Sequence, residues 1–243
     1  GGWPREDDQL LREATRASGR ARAMIIVVES DEVMLFEITN HGMRDISQFT
    51  LRGGGKREAK PTKVRDAFLK QAAEKSALVL GDELPIVICG PGMTRDQFAR
   101  LLREAGCAQR TLNVATSIGG RSAANEVLAK QLADEFLGES AIAKQVSVIE
   151  EALARIATNG AVAYGPDQLT AAQEQGAIET LVIVADLLRD AEANIAGTSW
   201  SIFAAGVTEG SGEMVQASTD HDSGKQLDGM GGALALLRWK IDG

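Results

Sequence analysis

Ser218-Thr219-Asp220-His221-Asp222-Ser223-Gly224-Lys225-Gln226-Leu227-Asp228-Gly229-Met230-Gly231-Gly232 runs directly into Ala233-Leu234-Ala235-Leu236-Leu237-Arg238-Trp239. The first part is polar and punctuated by glycine, and the second is an apolar run of strand length. Residues 214–217 read as another strand, so the polar part is a loop carrying a short helix between two strands. Working backward, helices are expected over 199–208 and 186–194, with a strand over 180–185 between helical stretches. Pro166 sits in a first turn and Gly176 just past a last turn, which frames a helix over 166–175. A strand over 161–164 and a helix over 140–157, with Ser140 as its N-cap, complete the half. This alternation predicts an α/β/α sandwich.

The other half opens on Ala23-Met24-Ile25-Ile26-Val27-Val28, a fully buried strand by its length and β-branching. Val33, Leu35 and Ile38 mark a second strand, Asn40-His41-Gly42 a turn, and 43–51 a third strand, giving an antiparallel meander. The pattern then changes to helix 62–77, strand 85–89, helix 94–105, strand 110–116 and helix 121–136. Strands alternating with helices require crossover connections and a parallel portion of the sheet. A meander followed by β-α-β-α is the order of a ribonuclease-H-like layered fold with a mixed sheet. The helical pattern breaks at residues 137–140, so the expected domains are 23–136 and 137–243. Residues 1–22 read as an amphipathic linker helix with Leu10, Leu11 and Ala14 on one side, of the kind that tethers a further domain.

The chain has 243 residues and a net charge of −8, from 26 Lys and Arg against 34 Asp and Glu. That balance argues against a surface coated all over by nucleic acid and confines such contacts to local patches. No apolar run approaches the ~20 residues of a membrane span, and no signal pattern opens the chain, so it reads as soluble and cytoplasmic. Cys89 and Cys107 are the only cysteines. They read as reduced thiols and not as a disulfide framework or zinc site.

The strongest local charge lies between Arg52 and Arg65, where six basic residues face one acidic one. The loop comprises Arg52, Gly53, Gly54, Gly55, Lys56, Arg57, Lys60 and Lys63. A phosphate-binding P-loop would need Ser or Thr after the lysine, and Arg57 stands there. The segment reads either as a solvated surface loop or as a basic finger that orders against phosphate or an acidic partner face. Two other turns are candidates. Gly90-Pro91-Gly92 leads from a strand into a helix with Thr94 as its cap, a geometry that holds anions in some proteins and only connects elements in most. Gly119-Gly120-Arg121 makes a similar turn. His41 and His221 fall in different expected domains, which disfavours a nucleophile-histidine pair. Asp220, His221 and Asp222 are consecutive and poorly spaced to converge on one metal. No cofactor, metal or catalytic residue is therefore expected.

The order Ser218, Thr219, His221, Gly224, Gln226, Leu227, then Gly231 and Gly232 before the run to Arg238 and Trp239, resembles the end of the Pelota family. These are ribosome-rescue factors related to the class-1 peptide release factors. The resemblance extends through Asn159-Gly160-Ala161-Val162-Ala163-Tyr164-Gly165 and Gly176-Ala177-Ile178-Glu179-Thr180-Leu181, and more loosely through Thr116-Ser117 and Gly119-Gly120-Arg121. It implies a central release-factor-like domain of ribonuclease-H-like fold and a C-terminal domain resembling a ribosomal-protein fold. A family N-terminal Sm-like domain would precede this point. It further implies a non-catalytic factor that recognises stalled ribosomes in mRNA surveillance, in no-go and non-stop decay. Such a factor works with an elongation-factor-like GTPase and promotes subunit dissociation with an ABC-type ATPase. Release factors carry a Gly-Gly-Gln tip for peptidyl-tRNA hydrolysis, whereas this chain has Gly53-Gly54-Gly55-Lys56 in the comparable place. The alternatives are a release-factor-like peptidyl-tRNA hydrolase, which that departure disfavours, and an RNA-binding ribosomal scaffold.

Overall fold

A computed structural model describes residues 21–39, 42–52 and 61–242. The described chain divides into two compact units, with the division between Gly138 and Glu139.

The first unit is built around β1 (Ala23–Val28), buried along its whole length. Strand side chains alternate between faces. Met24, Ile26 and Val28 therefore enter one core, and Ala23, Ile25 and Val27 the other. A strand covered on both faces needs no polar positions, which is why this run is continuously apolar. Each Ile or Val so buried is worth roughly 1.5–3 kcal/mol. β2 (Glu32–Thr39) and β3 (Gly42–Thr50) extend the sheet as an antiparallel meander, with a register shift between Leu35 and Phe36. After α1 (Thr62–Leu80), β4 (Ile86–Gly90) pairs parallel to β1. After α2 (Thr94–Glu104), β5 (Thr111–Ala115) pairs parallel to β4. The order is β3-β2-β1-β4-β5, the mixed ribonuclease-H-like sheet that the sequence suggests. Helices α1 and α2 cover one face with Leu69, Phe98 and Leu102. α3 (Gly120–Ala129) covers the other with Ala123, Ala124 and Val127.

The expected helix over 121–136 is interrupted. α3 ends at Ala129, Gln131 takes a left-handed conformation (φ 57°), and a new helix, α4 (Asp134–Ala157), begins three residues later. The expected break at residues 137–140 is absent, because Gly138 and Ser140 both lie inside α4, so Ser140 is not an N-cap. An isolated interior glycine costs only about 1 kcal/mol relative to alanine, which a helix of 24 residues absorbs.

The second unit contains β6 (Val162–Tyr164), α5 (Pro166–Glu174), β7 (Ile178–Val184) and the short α6 (Ala185–Arg189). The expected helix over 186–194 stops there, because the chain turns into a small hairpin of β8 (Asn194–Ile195) and β9 (Thr198–Ser199). α7 (Trp200–Glu209), β10 (Glu213–Ala217), α8 (Asp222–Gly229) and β11 (Ala233–Leu237) follow. The sheet order is β10-β7-β11-β6, with β10 parallel to β7 and β11 antiparallel to both β7 and β6. α5, α6 and α7 seal one face through Leu169, Leu188 and Phe203. α4 and α8 seal the other through Ile149, Ala152 and Leu227. The result is the α/β/α sandwich that the alternation predicts.

Candidate functional site

β1, β3, β4 and β5 run in the same direction, so their C-terminal ends share one edge of the first sheet. Three of the candidate segments start from that edge. β3 is followed by Arg52, which is exposed, and Leu51 N–H bonds the Asp31 carbonyl at 2.9 Å, tying the end of β3 to the β1–β2 turn. Gly53, Gly54, Gly55, Lys56, Arg57 and Lys60 lie outside the described residues, as does His41. Lys63 is exposed in the first turn of α1.

The Gly90-Pro91-Gly92 turn leaves β4 at the same edge. Gly90 has φ 145°, and a Cβ there would run into the Val28 carbonyl of β1. The Arg95 guanidinium faces inward: it donates to the Gly90 carbonyl at 3.4 Å, to the Gly92 carbonyl, and through Nε to Asn113 Oδ1 at 2.6 Å. Asn113 in turn donates to Asp96. Thr94 is not the cap; Met93 takes that position without a side-chain hydrogen bond. With Arg95 committed to the turn and Asp96 in the first helical turn, this terminus disfavours an anion.

The third turn, after β5, is braced as firmly. Ser117 donates from its backbone N–H and its hydroxyl to Glu126, both at 2.9 Å, and Lys130 reaches the same carboxylate at 3.0 Å. The bond from Lys130, followed by those from Ser117, holds the Glu126 carboxyl below its ordinary pKa. A Cβ on Gly119 would overlap the Glu29 carboxylate, which accepts from the Gly120 N–H. Glu29 thus fills the place at the start of α3 where an external anion would sit. Burial, then the charges of Glu32 and Asp31, raise its pKa against that bond. Arg121 pairs with Asp45 and lies 5.5 Å from the Phe36 ring centroid. Met93 and Ile118, 75% and 52% exposed, are the apolar residues these two rigid turns display.

Neither cysteine has the lowered pKa of a reactive thiolate. Burial, with Glu126 adding to it and Arg95 opposing, pushes the Cys89 thiol up to about 12, and burial also raises Cys107. Among the described residues no group of three His, Cys, Asp or Glu could hold a metal.

In the second unit, β7 and β10 are parallel neighbours whose following helices pass to opposite faces of the sheet. Such a switch point leaves a crevice beyond the strand ends. Here it measures about 620 Å³, with Ala185 and Ala217 too small to fill it and Gln145, Asp186, Arg189 and Thr219 along its walls. The signature residues build the loop beside it. His221 caps α8 by accepting the Gly224 N–H at Nδ1 (3.0 Å). Gly224 passes so close to Ser218 that a Cβ would overlap the Ser218 carbonyl. Leu227 is fully buried, whereas Gln226 is exposed. Gly231 and Gly232 have φ 101° and 85°, and a Cβ on Gly232 would lie 3.0 Å from methyls of Val184 and Leu187.

Sequence reading missed Gln145 and Arg155. Gln145 Oε1 accepts from both Ser218 N–H (3.0 Å) and His221 Nε2 (2.8 Å). Its signal was a polar side chain in register with Val148, Ile149 and Ala152 on the apolar stripe of α4. Arg155 ties the residue before β6 to the end of β11 by donating to the carbonyls of Ala161 (3.0 Å) and Leu237 (3.2 Å).

Comparison with known proteins follows the same lines. Residues 142–241 match the family model described as eRF1 domain 3. The pelota homologue of Methanoculleus marisnigri is 34% identical over 247 residues, covering 99% of this chain and 67% of its own length. That of Pyrococcus furiosus is 29% identical over 248 residues, covering 98% of this chain and 67% of its own. Among solved structures, a model of ribosome-bound archaeal Pelota and ABCE1 is 29% identical with a TM-score of 0.65, over 95% of this chain and 65% of that one. Archaeoglobus fulgidus Pelota is 26% identical with a TM-score of 0.51, over 99% of this chain and 71% of that one. Saccharomyces cerevisiae Dom34, at 20% identity and a TM-score of 0.53 over 97% of this chain and 68% of that one, shares the fold. The chain spans about two thirds of the length of these relatives, and it belongs to the Pelota family.

Proposed function

We propose that this chain is the docking body of a cytoplasmic ribosome-rescue factor. It recognises stalled ribosomes in mRNA surveillance, in no-go and non-stop decay, together with an elongation-factor-like GTPase. It then promotes subunit dissociation with an ABC-type ATPase. The observation that carries this reading is the relationship along 99% of the chain to a pelota homologue, joined by the likeness to the ribosome-bound Pelota and ABCE1 model. Residues 23–136 act as the central domain and 137–243 as the C-terminal domain, with 1–22 as linker. The work is docking and not chemistry: both thiols are held protonated by burial, and Lys56 stands where a hydrolytic tip would have glutamine.

The basic loop is the part of this body that meets ribosomal RNA or an acidic partner face. It does so from the sheet edge that also carries the turns at Gly90, Pro91 and Gly92 and at Gly119, Gly120 and Arg121. Replacing Arg52, Lys56, Arg57, Lys60 and Lys63 together with alanine removes five positive charges, of which those of Arg52 and Lys63 sit on exposed side chains. Every phosphate that the variant no longer neutralises should flatten the log-log salt dependence of ribosome binding by about 0.7–0.9. Pelleting with ribosomes stalled on a truncated message, over a salt series, should show an affinity loss on the order of tenfold or more at low salt and a slope reduced by several units. Unchanged affinity and slope would make the loop a surface connection only.

A further inference from the structure

We infer that Gln145 is the positioning residue of the signature loop, holding His221 as the neutral Nε2–H tautomer and thereby keeping α8 capped. The hydrogen bonds leave one consistent assignment. Nδ1 accepts from the Gly224 N–H at 3.0 Å and so carries a lone pair. The neutral ring must then bear its proton on Nε2, which donates to Gln145 Oε1 at 2.8 Å. The same Oε1 accepts the Ser218 N–H at 3.0 Å, so one amide oxygen fixes both ends of the turn that leads into α8. The absent side chain of Gly224 lets this turn close onto the Ser218 carbonyl.

The arrangement is sensitive to a proton. Protonation at Nδ1 turns the acceptor into a donor facing the Gly224 N–H, and it places a cation at a helix N-terminus, where the dipole opposes it. Histidine is the side chain that changes charge between about pH 5 and 8. The charged groups around the ring do not replace that bond. Asp220 precedes it in the loop, and Asp222 and Lys225 follow in the first turn of α8. Asp186 and Arg189 lie across the crevice and pair at 3.8 Å, while Lys144 on α4 pairs with Glu213 at 3.7 Å. The bracing belongs to the second unit itself, whichever partner meets the loop.

The test is ¹⁵N NMR of the imidazole together with hydrogen exchange of the Gly224 and Ser218 amides, from about pH 8 to about pH 5. In the unaltered chain His221 should be the Nε2–H tautomer at the upper end, and Gly224 protection should fall in step with protonation. His221→Asn keeps a capping acceptor and should retain Gly224 protection while abolishing its pH dependence. Gln145→Glu keeps the acceptor oxygen but adds a charge that favours the imidazolium, so His221 should protonate at a higher pH than in the original chain. Where the ring carries the extra proton and the bond to Nδ1 is lost, this variant should exchange Gly224 about tenfold faster. An Nδ1–H tautomer in the unaltered chain would overturn the assignment without any variant. So would a Gln145→Glu chain whose His221 protonation and Gly224 exchange match the original, or a His221→Asn chain that keeps the original pH dependence.

Discussion

Gly90→Ala should destabilise the first unit by about 3 kcal/mol or more, enough to shift its melting by ten degrees or more on the scale of about 4–8 °C per kcal/mol for a domain of this size. Two costs combine. The backbone at Gly90 has φ 145°, a region closed to side chains, where strain runs to about 1–3 kcal/mol. The new Cβ also meets the Val28 carbonyl, which belongs to the strand on which both cores rest and cannot yield as a flexible side chain would. The damage should spread to the Arg95 brace, since that guanidinium bonds the Gly90 and Gly92 carbonyls. Gly138→Ala is the control: no atom lies within 4 Å of its Cβ position and the residue is helical, so it should be neutral or stabilising by up to about 1 kcal/mol. Calorimetry combined with hydrogen exchange on β1 would read both. Equal stability of the two variants would remove the argument from close approach.

Gly224→Val should cost the second unit about 2–4 kcal/mol, for a different reason. Gly224 lies in α8 without positive φ, so its backbone would accept a side chain; the obstacle is the Ser218 carbonyl. Making room means moving α8 outward, which pulls Leu227 from its seat against Val182, Val184 and Leu234. Partial exposure of one buried leucine and removal of the His221 cap account for the magnitude. Urea melts should show a lowered midpoint. Lys225→Ala, one residue along and exposed, should stay within about 0.5 kcal/mol of the original chain. A Gly224→Val chain as stable as Lys225→Ala would show that the loop does not depend on this close approach.

The layers were legible because their causes are local. Continuous apolar runs such as β1, and Pro166 and Gly176 at helix ends, follow from burial and backbone sterics that a sequence displays. What escaped depended on partners distant in the chain or on residues in unusual conformations. Gln131 ends α3 by adopting a left-handed conformation that its side chain does not announce. The β8–β9 hairpin turns on Ala196 and Gly197, both with positive φ, where Asn-Gly would have been the recognisable form. Glu29 fills the start of α3 from 91 positions before Gly120, and Gln145 reaches His221 across 76. No sequence period marks the Glu29 pairing, and the stripe position of Gln145 marks that residue without naming its partner. The glycines were legible as turns, yet the carbonyls of Val28 and Ser218 that require them were visible only once the fold was known.

Docking without hydrolysis can be observed on ribosomes stalled on a truncated message and carrying peptidyl-tRNA. The chain is added with a translational GTPase bound to a non-hydrolysable nucleotide, and both the pelleted protein and the state of the ester are followed. A docking factor should pellet with the stalled ribosomes while the peptidyl-tRNA ester stays intact. Failure to pellet under any salt condition, or release of the peptide at the rate of a class-1 release factor, would contradict that role.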